Sequence, residues 1–530
     1  MAWQIGSIVA IAAVACVVLL AATASGIPPG SAAATSSRPA PAPASAPAIT
    51  GVPATGPAWK ADVAPLHKVL DLKTGETQEV VWPDGSKTSV KLLSVEAAKD
   101  DLREAVRKAT VRVVVNGQEA ALASAMYSLP VAAGGVQVDC SVVKALLANS
   151  RGNPWGLNAD ARIRIWPAGA AWIEPNTFAY PIRQRWFASP TQMANEPTYV
   201  DGVESPLAKT IYYHNGLDFG GAEGLVDILS ATDGLVVAAG NERLAGYEQT
   251  PARPRYDTIH VVDRRGWFHG YYHLLSIDPS VKVGGTVRMG QTIGVLGKEG
   301  DSGGWSHLHY GITARQPSGR WGIEEAYAFV WQAYVAQHKP QLIAVARPHH
   351  FMSAGSTLEL DGSRSWPASG RVEKYEWTFT DGAKAAGAKV SHKYERSGQY
   401  CEVLKVTDSA GNVDYDFAIV QIIDKGDPKD LPPGIHLAYA PTLGLRPGQE
   451  ITFKVRSFGT TAGEEAIDFG DGTPPARAKS DGCVEALARD GYAVLKHAFA
   501  RPGQYIVTAR RTNERGQEGV TRVLVVVEPE

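Results

Sequence analysis

Six histidines, His214, His260, His269, His273, His307 and His309, fall between residues 191 and 335, out of 13 in the chain. In His214-Asn-Gly-Leu-Asp218 an imidazole and a carboxylate stand four residues apart, in a stretch whose glycines at 216, 220 and 221 disfavour a helix. Along an extended strand such positions share a face, so both side chains can converge on one point. His307-Leu308-His309 repeats the arrangement at spacing two, with both imidazoles on one face and Leu308 on the other. Together these three or four groups are the donors of a catalytic zinc site, in which three protein ligands leave one position open. Either motif alone is more often incidental or structural, and the weight lies in their combination. Hydrolysis at such a site needs a proton manager and an oxyanion partner. His307 and His273 are candidates for both tasks, and His269, four residues before His273, is the rival to His273. His260 reads as a packed strand residue, and His338, His349 and His350 as parts of a polar connector.

The elements that must hold these groups are mostly strands. The 530 residues suffice for three to five domains, and 54 Gly and 34 Pro with 8% aromatic residues favour turns and short strands over helical bundles. The expected class is mainly β and multidomain. With 52 Lys+Arg against 54 Asp+Glu, the charge balance argues against nucleic-acid binding and against polybasic membrane binding. Residues 8–22 are almost wholly apolar and end in Ala22-Thr23-Ala24, so residues 1–24 read as an export signal, or as a membrane anchor if uncleaved. Residues 25–58, built of Pro, Ala, Ser, Thr and Gly, read as an extended linker. The expected location is therefore periplasmic, cell-envelope or extracellular.

Residues 59–190 alternate with period two and carry turn signals at Asp84-Gly85 and Asn116-Gly117, which predicts a β-rich domain. One helix is expected within it, from Val95 to Lys108, where acidic residues come early and basic ones late. Nothing in this domain forms a catalytic constellation. A second helix is expected from Ile323 to His338, closing a domain at 191–338. Cys140, Cys401 and Cys483 are too far apart for a disulfide framework, although Cys401 and Cys483 could pair if the C-terminal units touch.

The segment around the histidines resembles the lysostaphin-like, LytM-type zinc metallopeptidases. The matching residues run from His214-Asn-Gly-Leu-Asp218 through Ala231-Thr-Asp-Gly-Leu-Val-Val-Ala-Ala-Gly240, Tyr271-Tyr-His-Leu274 and Val287-Arg-Met-Gly-Gln-Thr-Ile-Gly294 to Ser306-His-Leu-His-Tyr310. The resemblance implies one zinc per chain on His214, Asp218 and His309, with His273 and His307 as catalytic histidines that do not bind the metal. It also implies an endopeptidase acting on peptidoglycan cross-links or glycine-rich peptides. The alternative is a catalytically silent cell-wall-binding or activator protein on the same fold, which would normally have lost one of these five residues. A long loop, Asn241 to Asp257, is expected to shape one wall of the substrate groove.

The last third contains an internal repeat. Asp381-Gly382 is echoed by Asp471-Gly472 at an offset of 90, and His392 by His497 at an offset of 105, so the second copy carries an insertion of about 15 residues near Lys479 to Asp490. Both units resemble PKD (polycystic kidney disease) domains of immunoglobulin-like form, placed at 340–425 and 430–530. The expectation is of two spacers or surface-contact modules, dispensable for chemistry, with His392 and His497 as scaffold residues.

Overall fold

A computed structural model describes residues 59–197, 208, 210–427 and 431–530. The expected export signal and linker fall on residues outside the described ones. Among the latter, no helix is long and apolar enough to cross a membrane.

The N-terminal region consists of two four-stranded antiparallel sheets. One contains Thr77–Val81, Lys87–Lys99, Val106–Val115 and Gln118–Ala123; the other contains Lys68–Leu72, Ala161–Pro167, Val136–Val143 and Val131–Ala133. The helix expected from Val95 to Lys108 does not form. Val95 pairs with Val111 and Ala97 with Ala109 across neighbouring strands. The Asp100 carboxylate accepts the backbone N–H groups of Arg103 and Ala105, which turns the chain there. Cross-strand burial of the alternating Val and Ala side chains thus outweighs a helix preference that rested on charge order.

The region with the histidines is organised on a nine-stranded sheet. Its backbone runs through Gly234–Ala239, Ile259–Val262, Phe268–Tyr272, His307–Arg315, Leu217–Gly220 and Thr191–Gln192, each hydrogen-bonded to the next. The predicted closing helix is shorter than expected, Tyr327–His338, because Trp321–Glu324 pairs as a strand with Ile312 to Arg315. Lys339 stops the helix in a left-handed conformation, φ 47°. The helix buries Tyr327, Phe329, Val330, Trp331 and Tyr334 in a core shared with Phe219, Leu308, Tyr310 and Ile312. That core also draws in Trp166, Tyr180 and Trp186 from the N-terminal side and Ala438 from the C-terminal side.

Each C-terminal unit is a sandwich with its own core, around Trp377, Leu404 and Val420 in the first and Phe453, Val507 and Val525 in the second. The two are joined edge to edge, since Gly398–Asp408 of the first lies parallel to Glu518–Val527 of the second. All three cysteines in the described residues are free, so the possible Cys401 to Cys483 bridge is absent. His349 is also not part of a polar connector: it is buried, and its N–H donates to the Glu196 carboxylate, 2.8 Å away.

Candidate metal centre and active site

Strand register brings the first donors together. Asp218 pairs directly with His309, and Gly220 with His307, so the carboxylate and both imidazoles occupy one face of a two-strand ladder. His214 precedes the strand and is not on it. Its backbone N–H is anchored to the Glu196 carbonyl at 2.9 Å, and its ring folds back over Asp218. Gly216 makes this possible: its φ is 153°, and a Cβ there would lie 3.0 Å from the His309 ring.

The result is a tight triangle. His214 Nε2 lies 2.9 Å from Asp218 Oδ1, His309 Nδ1 lies 2.8 Å from the same oxygen, and the two nitrogens are 2.9 Å apart. These three atoms are the one such cluster found among the described residues. Two imidazole nitrogens and a carboxylate oxygen this close present more lone pairs than shared protons can satisfy, whereas a cation would satisfy all three. The residues therefore fit a metal of the zinc type. Burial opposes ionisation of Asp218, but His214, His307 and His309 around it hold its carboxyl well below the usual carboxylate range.

His307 and His273 stand beside the triangle. Their ring centroids are 4.6 Å apart, and His307 Nε2 lies 3.4 Å from Asp218 Oδ2, the oxygen turned away from the triangle. The His307 Nδ1–H donates to the Trp305 carbonyl at 3.1 Å, which leaves Nε2 as a bare acceptor. Burial pushes the His307 pKa well below its ordinary value. The His273 Nδ1–H donates to the Glu299 carbonyl at 2.7 Å. His273 itself lies just past the strand Phe268–Tyr272, at φ 67°, so it does not share a strand face with His269. The left-handed turn aims its ring at His307. His269 stays in the core, hydrogen-bonded to Tyr310 at 2.8 Å and facing Asp263 at 3.3 Å, which removes it from the site.

Three further residues were not singled out from sequence. The Asp257 carboxylate accepts the His273 backbone N–H at 3.0 Å and is held from the other side by Arg255. Burial raises its pKa, but the His273 imidazole, 3.7 Å away, and the Arg255 guanidinium outweigh it and bring the carboxyl down to about 2. Asp257 ends the loop expected to wall the groove, so the loop also supports a candidate catalytic group. Trp305 stacks on His307 with centroids 3.9 Å apart and planes 18° apart. Tyr492, from the second sandwich, accepts the Ser306 N–H at 2.8 Å. The sole signal for Trp305 was its position two residues before His307, and Tyr492 had none, since it is distant in sequence. Next to His273 a cavity of about 470 Å³ is lined by Tyr256, Leu274, Leu275 and Glu299, and also by Lys454 and Arg489 of the second sandwich.

Residues 212–319 match the model of peptidase family M23. A PKD domain follows at 338–422. The chain thus carries a LytM-type peptidase domain and a PKD domain in the order the motifs implied. Collagenase ColA of Clostridium perfringens (strain 13 / Type A) is 34% identical over 67 residues, which is 13% of this chain and 6% of that protein's length. Among solved structures, the antimicrobial peptidase lysostaphin from Staphylococcus simulans is similar at 17% identity, with a TM-score of 0.19, covering 41% of this chain and 85% of that one. Helicobacter pylori Csd3 is similar at 14% identity, with a TM-score of 0.19, covering 50% and 81%.

Proposed function

We propose that the M23-type domain is an exported zinc endopeptidase that hydrolyses peptide bonds in peptidoglycan cross-links or glycine-rich peptides. The observation that carries this reading is the triangle of His214 Nε2, Asp218 Oδ1 and His309 Nδ1, all within 2.9 Å, with two further imidazoles beside it. Zinc bound there supplies Lewis acidity toward the scissile carbonyl and the attacking water.

The remaining chemistry belongs to the protein. The bare Nε2 of His307 accepts the water's proton, and Asp218 Oδ2 stabilises the imidazolium that results. The same imidazolium then returns the proton to the leaving amine. His273, with Nδ1 fixed on the Glu299 carbonyl, presents Nε2 toward the reacting carbonyl and, when protonated, donates to its developing oxyanion. The groove walls exclude bulk water from a centre in which His214, Asp218, His273 and His307 are all buried. Retention of all five residues speaks against the silent-binder alternative. Export rests on the apolar run at 8–22 and its small-residue end.

The test is to incubate the zinc-loaded full chain with purified sacculi and, separately, with a glycine pentapeptide, with and without chelator. Chelator-sensitive release of new amino termini from either substrate is expected. No release from either, by a protein that holds one zinc per chain, would overturn the peptidase reading.

A further inference from the structure

The sequence suggested that the C-terminal units hang away from the chemistry. The second sandwich instead closes on the segment that leads into His307. The Arg456 guanidinium, fully buried, donates to the Gly304 carbonyl and to the Ala486 and Glu485 carbonyls of the insertion, and is paired with Asp481 at 2.6 Å. Gly304 has no room for a side chain, since a Cβ there would lie 2.6 Å from Cys483 Sγ. The extra residues of the second copy thus form the surface that seats this segment.

Behind the segment the hydrogen bonds form a chain whose direction is determined at each link. The Ser189 hydroxyl donates to the Leu437 carbonyl at 3.0 Å, so it accepts from His436 Nε2–H at 2.8 Å. That leaves His436 Nδ1 bare to accept the Tyr492 O–H at 2.8 Å, and the Tyr492 oxygen in turn accepts the Ser306 N–H. The His436 ring meets the Trp305 indole edge to face at 5.4 Å, and the same indole carries the stacked His307 ring at 3.9 Å. A side chain at Gly220, the ladder partner of His307, would lie 3.1 Å from His436 Nε2, so the imidazole also backs this part of the ladder.

We propose that the second sandwich is a built-in part of the catalytic unit, with Tyr492 and His436 as positioning residues that fix Trp305 and, through it, the ring of His307. This rests on the peptidase reading for the role of His307, but the positioning itself is a property of the fold. Removing the Tyr492 hydroxyl frees the Ser306 N–H and breaks the link to His436 while keeping the ring that fills the space.

The experiment uses the full chain labelled with 5-fluorotryptophan, the Trp305 resonance being assigned by its loss in Trp305→Phe. In Tyr492→Phe that resonance is expected to shift or broaden while one zinc per chain remains. On the glycine pentapeptide, kcat should fall about tenfold with KM within about twofold, since a displaced catalytic ring loses rate rather than substrate binding. His436→Gln is the second variant should Tyr492→Phe fail to fold, with the same expectations. An unchanged Trp305 resonance in a folded variant overturns the proposal. So does a changed resonance with unchanged kcat. If the unmodified zinc-loaded chain cleaves nothing, the peptidase reading fails, and the fluorine spectrum still decides whether the sandwich positions Trp305.

Discussion

In each sandwich a histidine faces an aspartate: His392 and Asp381 are 3.1 Å apart, His497 and Asp471 2.7 Å. In the peptidase domain His214 and His309 face Asp218 at 2.9 and 2.8 Å. Distance therefore does not separate a scaffold pair from a candidate metal site. In the sandwiches each imidazole lies flat on a phenylalanine, Phe379 at 4.0 Å or Phe469 at 3.8 Å, and one carboxylate satisfies it. In the peptidase domain the carboxylate oxygen is shared by two imidazoles that arrive from different elements, one on a strand and one on the preceding loop. Convergence of a third donor on one point, rather than the pairing of histidine with aspartate, marks the candidate centre.

The sharpest way to break this comparison is to remove one donor from each kind of site. His309→Ala should lose stoichiometric zinc on dialysis against a mild chelator and should lose hydrolysis altogether, whereas His497→Ala should keep both. Zinc analysis by mass spectrometry checks it. Full zinc retention by His309→Ala would mean that the triangle does not hold the metal.

A smaller effect separates ligands from neighbours. His307→Ala and His273→Ala should keep one zinc per chain yet lose about 100- to 10,000-fold in kcat, because they handle protons and the oxyanion rather than the metal. Near-normal turnover in either variant would exclude that ring from the mechanism. Asp257→Asn should cost less, about ten- to hundredfold, since Asp257 holds His273 through its backbone N–H and does not itself face the reacting atoms. Steady-state kinetics on the same peptide should place the loss in kcat.

The legibility of the molecule followed the range of the interactions. Asp218, His307 and His309 were readable because strand periodicity is local, whereas His214 reaches Asp218 from the preceding loop by way of Gly216 and not along a shared strand face. The repeat was readable because Asp381, His392 and their echoes keep their order along the chain. The turn at Asp100 was missed because a charge gradient was weighed above the alternation of Val95, Ala97, Ala109 and Val111, which needs a partner strand to matter. The turn at His273 was missed because nothing in the sequence shows that the strand ends at Tyr272. Asp257, Tyr492 and His436 act over 16 to 247 residues of sequence, and no local pattern encodes such contacts.

The mildest effect concerns pH and is carried by His436. His436 is fully buried among Ser189, Tyr492, Trp305 and the Arg456 guanidinium, and burial followed by the charge of Arg456 brings its pKa down to about 3. In the unfolded chain an imidazole takes up its proton near 6.5. Between these values the unfolded chain binds one more proton than the folded one, so acid favours unfolding and stability rises with pH across the window. Above about 6.5 neither state is protonated and the residue adds no pH dependence. Its contribution to the slope should approach about 1.4 kcal/mol per pH unit between roughly pH 6 and pH 4. His260 and His349, both buried, and the partly buried His350 also have lowered values and add to the total, so the contribution of His436 must be read as a difference. His436→Gln should be less stable than the parent chain at pH 7.5, having lost two hydrogen bonds. It should nonetheless lose less stability than the parent on acidification to pH 5, because one proton-uptake site has been removed from the unfolding equilibrium. Urea melts of both chains at the two pH values supply the four midpoints needed. Parallel acid losses in the two chains would show that His436 is not held neutral, and the directed hydrogen-bond chain from Ser189 to Ser306 would lose its basis.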